Sequence, residues 1–241
     1  MTPAGAPDFG PTRWSLVMAL QTAADAPQAQ ERLIELCLHY WYPVYAYLRR
    51  SGHAPEPAQR MTAAFFARLL QSGPQLAAEA GAGRFRLFLQ AQLYRYLAQA
   101  PYAEADAPAL AAPLPLEEME ARRQAEPPEA GNPEQAFQRG FALEVIARAR
   151  ARLREEARGA GHLAMFETLE RHLGAEPTPG DYEADARQLG VRALFVALAV
   201  RRLRQRFREL VESELSQTVA SDADLDSERA ALLAAIAGAP A

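Results

Sequence analysis

The stretch Gln28–His53, QAQERLIELCLHYWYPVYAYLRRSGH, decides the fold. Its apolar positions Leu33, Leu36, Cys37, Tyr40, Trp41, Val44, Tyr45 and Leu48 recur at steps of three and four residues. That is the period of a helix that buries one face. Ser51-Gly52-His53 follows the last periodic residue, and a glycine there is a helix stop. The spacing predicts one helix from about Gln28 to Arg50.

The same period extends in both directions. Upstream, Thr12 opens a helical pattern with Leu16, Val17 and Leu20 on one side. Downstream, a helix begins near Pro57, since proline is tolerated in a first turn, and carries Met61, Phe65, Phe66, Leu69 and Leu70 to Ser72-Gly73-Pro74. Another spans about Gly83 to Gln99, with Phe85, Phe88, Leu89, Leu93, Tyr96 and Leu97 inward, until Pro101 closes it. Residues 101–133 are rich in Pro, Ala and Glu and read as a linker with at most one short helical piece. Helical period returns at Glu134 and runs to about Arg158, then from about His162 to Leu173. A Pro-rich break at 174–180 precedes a short helix, Asp181–Leu189, a turn at Gly190 and a long helix from about Ala193 to Glu214. Residues 215–241 read as an acidic extension with one apolar patch, Ala230–Ile236. Period-two strands and internal repeats are lacking, so the expected class is all-α: two small helical bundles, 12–100 and 134–214, joined by the linker.

Composition narrows the function. The 241 residues carry a formal net charge of -4, and all 26 basic residues are arginine, as GC-rich codon usage would produce. The overall balance does not mark a nucleic-acid binder, so any DNA contact must come from a local basic patch. Cys37 is the single cysteine, which excludes an internal disulfide and a cysteine metal cage. Residues 1–11 lack a charged n-region and an apolar h-region and read as a loose tail, and no apolar run reaches membrane-spanning length. The expected location is therefore cytoplasmic. His39, His53, His162 and His172 show no metal-ligand spacing, and there is no phosphate-cradling glycine loop or nucleophile elbow, so no catalytic residue, metal or cofactor is assigned.

The most informative unit is Tyr182–Leu210. A short helix, a glycine turn and a second helix form a helix-turn-helix pattern. Val196, Val200, Leu203, Phe207 and Leu210 make the inward stripe of its second helix. Arg201, Arg204 and Arg208 share another face, with Arg202 and Arg206 nearby. Such a cluster neutralises phosphates. A solvated face paired with Glu209, Glu212 and Glu214 is the equally weighted alternative.

Several segments together resemble one branch of the extracytoplasmic-function sigma factors. They are Thr12-Arg-Trp-Ser-Leu-Val17, Tyr40-Trp-Tyr-Pro-Val-Tyr-Ala-Tyr-Leu-Arg-Arg-Ser-Gly-His53, Phe65-Phe-Ala-Arg-Leu-Leu70, Gly83-Arg-Phe-Arg86 and Gln217-Thr-Val-Ala220. The resemblance implies a sigma-two-like bundle, a linker and a sigma-four-like helix-turn-helix. It also implies RNA polymerase core and promoter DNA as partners.

The departures from that pattern are as informative. Where the family carries an acidic motif for the polymerase clamp, this chain reads Pro55-Glu-Pro-Ala-Gln-Arg-Met-Thr-Ala-Ala64. Glu56 alone keeps a carboxylate and Arg60 reverses the sign, which works against a basic partner. Thr62 lies among these positions, and phosphorylation by a Ser/Thr kinase would restore roughly -1.5 to -2 charges there. The resemblance thus assigns Glu56, Arg60 and Thr62 to polymerase binding, with Thr62 either a phosphosite or an ordinary helix-surface threonine. In the helix-turn-helix it assigns DNA contact to Arg192, Arg201, Arg202, Arg204 and Arg208. Arg192 replaces the usual Ser or Thr cap, and the base-facing positions fall near Ala197, Leu198, Arg201 and Arg202. Leu194, Phe195 and Leu198 make the start of that helix apolar, which suits a protein surface better than a base edge. Two functions follow as expectations: a sigma factor conditioned by phosphorylation, or a degenerate sigma-like adaptor that binds a protein.

Overall fold

The computed structural model describes residues 12–19, 26–80 (75–80 by backbone alone), 83–99, 111–125 and 131–237. Among the described residues the chain is all-α. Its helices are α1 (Arg13–Met18), α2 (Ala26–His39), α3 (Trp41–Arg50), α4 (Pro55–Ala80), α5 (Phe85–Ala98), α6 (Leu116–Gln124), α7 (Pro133–Gly159), α8 (Leu163–Leu169), α9 (Asp181–Leu189), α10 (Ala193–Ser216) and α11 (Asp222–Ala237), with a 3-10 turn at Glu170–Leu173. The chain divides into two compact units, one of Met1–Glu144 with Leu215–Ala241 and one of Val145–Glu214. This differs from the expected boundary in residues 101–133, because the division falls inside α7.

The stretch Gln28–His53 forms two helices rather than one. The break is at Tyr40, whose backbone (φ -105, ψ 9) leaves the helical track. Pro43 accounts for it: proline donates no backbone hydrogen bond, and its ring would collide with the carbonyl of His39 in a continuous helix. The break drives the Tyr40 ring into the core of the first unit, stacked on Phe141 at 5.3 Å and edge-on to Phe85 at 5.0 Å. Trp14 packs on Phe85 and Phe88, and Trp41 stacks on Phe66. The Ser72-Gly73-Pro74 stop becomes a kink in α4, with Gly73 at φ 70, a value that suits glycine.

Three of the resembling segments meet at one place in the first unit. Thr12 caps α1, its hydroxyl accepting from the Ser15 amide while Ser15 returns the bond. The same hydroxyl donates to the Val219 carbonyl at 2.6 Å. The amide of Trp14 donates to Gln217, that of Phe85 to Thr218, and that of Ala220 to Gly83. Gln217–Ala220 thus satisfies backbone groups at the starts of α1 and α5 that would otherwise be orphaned on burial.

Two expected surface segments belong to this core. Residues 215–241, expected as an acidic extension, hold α11, which buries Leu225, Glu228 and Leu232. The described part of the expected linker holds α6, which buries Met119. The Glu120 carboxylate accepts from Tyr45 Oη at 2.5 Å, Arg49 Nε at 2.7 Å and the Arg123 guanidinium. Arg49 foremost, with Arg123 and Tyr45, lowers the Glu120 pKa from 4.5 to about 2. A carboxyl depressed in the folded state stabilises above its unfolded pKa and loses that stabilisation as pH falls through the folded value. Acidification from about pH 4.5 to about 2 should therefore loosen α6. Glu120→Gln should remove that acid dependence and cost about 1–3 kcal/mol at neutral pH. Hydrogen exchange of the α6 amides against pH checks both, and unchanged exchange in the variant would refute the docking described.

Candidate functional site: the helix-turn-helix unit

The second unit is held by two apolar clusters. Ala149, Leu153, Phe166 and Leu210 form one, and Leu169, Ala186, Val196 and Val200 form the other. Gly190, at φ 67, makes the turn between α9 and α10, where a Cβ would be strained. The carbonyl of Arg192 accepts from the amides of Phe195 and Val196, so this residue stands at the entry of α10 and its exposed side chain offers no capping oxygen.

A buried polar bracket underlies the turn. His172 Nε2 lies 2.7 Å from Asp185 Oδ2, and both residues are almost wholly buried. Arg171 donates to the other carboxylate oxygen at 2.6 Å, and the Tyr182 ring meets the imidazole edge-on. Arg204 donates from Nε to the His172 carbonyl and from Nη2 to the Ala175 carbonyl, and it pairs with Glu176. The bracket ties α9 and α10 to the 3-10 turn. Nothing in the sequence points to it, because its members come from separate elements across the Pro-rich break.

The five arginines assigned to DNA therefore divide. Arg204 is committed to the bracket, and Arg208 donates to Gln205. The neighbouring Arg206 pairs with Glu156 at 2.7 Å and with Glu209 at 2.9 Å, and these carboxylates push its pKa up. Arg192, Arg201 and Arg202 are exposed and make no ion pair or hydrogen bond among the described residues. The same outward face of α10 carries Leu194 at 71% exposure, Phe195 at 49% and Leu198 at 48%, with Val191 beside them. One face thus runs from an apolar entry to a cationic middle.

Of the residues assigned to the polymerase clamp, Thr62 does not share a surface with the other two. Glu56 and Arg60 are exposed on α4. Thr62 is 0% exposed, and its hydroxyl donates to the Ala58 carbonyl at 2.8 Å. The assignment of Thr62 as a contact and phosphosite is corrected accordingly. It shares a helical face with Ala58, Phe65, Phe66 and Leu69, all buried, and a phosphate there would place charge in the apolar core. Arg86, from the basic Gly83–Arg86 segment, is likewise buried, in an ion pair with Glu228 at 2.8 Å.

Among the described residues no group of three or more His, Cys, Asp or Glu side chains is placed to hold a metal, and no helix is long and apolar enough to cross a membrane. Comparison with family models, with curated proteins and with solved structures yields no match.

Proposed function

We propose that this chain is a sigma-like adaptor whose helix-turn-helix docks on a protein rather than reading promoter bases. One observation carries the reading: the entry of α10, the end that a helix-turn-helix presents to base edges, exposes Leu194, Phe195 and Leu198. Base edges in the major groove are rows of hydrogen-bond donors and acceptors, with the thymine methyl as the only apolar feature. Three large apolar side chains leave most of those groups unpaired. A protein surface accepts them, because burying each contributes about 1.5–3 kcal/mol. The neutralisation of Arg204 and Arg206 by Glu176, Glu156 and Glu209 points the same way.

A second reading is a sigma factor that binds core polymerase and promoter DNA. It is favoured by the guanidinium groups of Arg192, Arg201 and Arg202, which have no partner among the described residues and can bridge phosphate or guanine.

The two readings separate in one set of measurements on the full chain. Duplex DNA is titrated at low salt, and purified core polymerase is tested for binding in parallel. A tagged chain is recovered from its host cells after nuclease treatment. The adaptor reading expects weak, sequence-indifferent DNA binding and a nuclease-resistant protein complex that Leu194→Ser with Leu198→Ser removes. Saturable, sequence-selective DNA binding that Arg201→Ala with Arg202→Ala abolishes would overturn it in favour of the sigma factor.

A further inference from the structure

We propose that the partner segment covering the outward face of α10 is an acidic amphipathic helix. The inference rests on the adaptor reading and adds the chemistry of the partner. The face has a polarity along its axis. Val191, Leu194, Phe195 and Leu198 make an apolar surface over the first turns. Arg201 and Arg202 continue the face, both exposed and both without an ion pair or hydrogen bond among the described residues. Arg192 adds a third guanidinium, likewise unpaired among the described residues, at the helix entry. Beyond them Glu209, already bonded to Arg206 and Gln205, closes the cationic section.

Leu194 to Arg202 spans a little over two turns of α10, roughly 12 Å. A helix laid along it meets the leucines and Phe195 with side chains spaced i, i+3, i+4 and i+7. Its ends must then answer three cations. Carboxylates at the end over Arg201 and Arg202, and one near Arg192, pair with groups whose charge nothing in this unit already uses. A basic partner would bring like charges together, which costs affinity. A neutral apolar partner would cover the guanidinium groups without hydrogen-bonding them, which also costs affinity.

The test places a photo-crosslinking residue at position 198 of the full chain, in its own host cells, and maps the captured segment by mass spectrometry. Leu198 and the arginines are exposed, so these substitutions leave the fold intact, which circular dichroism verifies. The expected capture is a protein segment with helical apolar spacing and at least two carboxylates within about two turns of the crosslink. Arg201→Glu with Arg202→Glu should lower the crosslink yield at least about tenfold. Exchanging the mapped carboxylates for lysine in the partner should restore it. Capture of a protein segment without carboxylates, capture of a second copy of this chain, or an unchanged yield in the charge-reversed chain would overturn the inference while leaving a protein partner in place. Capture of nucleic acid, or of nothing, would overturn both the inference and the adaptor reading.

Discussion

Glu228→Ala is expected to destabilise the first unit by about 3–5 kcal/mol, the cost of leaving a buried charge unpaired. Arg86 is 5% exposed, and its guanidinium donates to both Glu228 oxygens, to Gln138 at 2.6 Å and lies over the Phe141 ring. Glu228 itself is wholly buried, so removing the carboxylate leaves the Arg86 guanidinium in the interior without its counter-ion. The control is Arg86→Met with Glu228→Leu. Replacing the whole pair by apolar groups of similar volume removes the unpaired charge, so the double variant should recover most of the loss. Urea unfolding of the three proteins measures both. A loss under about 1 kcal/mol in Glu228→Ala, the range of a surface pair, would show that α11 does not close over α5 as described.

Asp185→Ala is expected to have an effect of similar size, about 3–5 kcal/mol, confined to the helix-turn-helix unit. The carboxylate is 2% exposed and holds His172 and Arg171 together; its loss strands a buried imidazole and removes the tie between α9 and the 3-10 turn. Because the members of the bracket lie in the second unit, amide exchange should accelerate across α8 to α10 and remain slow in α2, α3 and α5. Asp185→Asn keeps a hydrogen-bond acceptor for His172 and should cost less. Uniform acceleration in both units, or none, would contradict the bracket as a local device.

Much of the helical order was legible because periodicity reports a buried face directly. Asp181–Leu189 matches its expected bounds, and α7, α5 and α10 lie within a few residues of theirs. The break at Tyr40 was signalled by Pro43 but obscured by the unbroken apolar period on either side. Thr62 was misplaced although Phe65, Phe66 and Leu69 follow it at steps of three, four and seven, the spacing of its own buried face. A threonine that bonds its hydroxyl to the carbonyl four residues back needs no water and can be buried. A short helical piece within residues 101–133 is expected from the sequence, but the docking of α6 is not legible there, because it is largely polar, through Glu120 and Arg122, and charged side chains in a linker-like composition read as solvated.

The sequence by itself determined the all-α class, the helix-turn-helix at Tyr182–Leu210 and the apolar entry of its second helix. All three depend on neighbours within a few residues, where spacing and composition act directly. Tertiary structure alone decided which charges remain available. Arg204 meets Glu176 across 28 positions, Arg206 meets Glu156 across 50 and Arg86 meets Glu228 across 142. A charged side chain has the same letter whether it is solvated, paired or buried, and only the chain's return path brings its counter-ion within reach. Among the described residues that path leaves Arg192, Arg201 and Arg202 unpaired beside Leu194, Phe195 and Leu198.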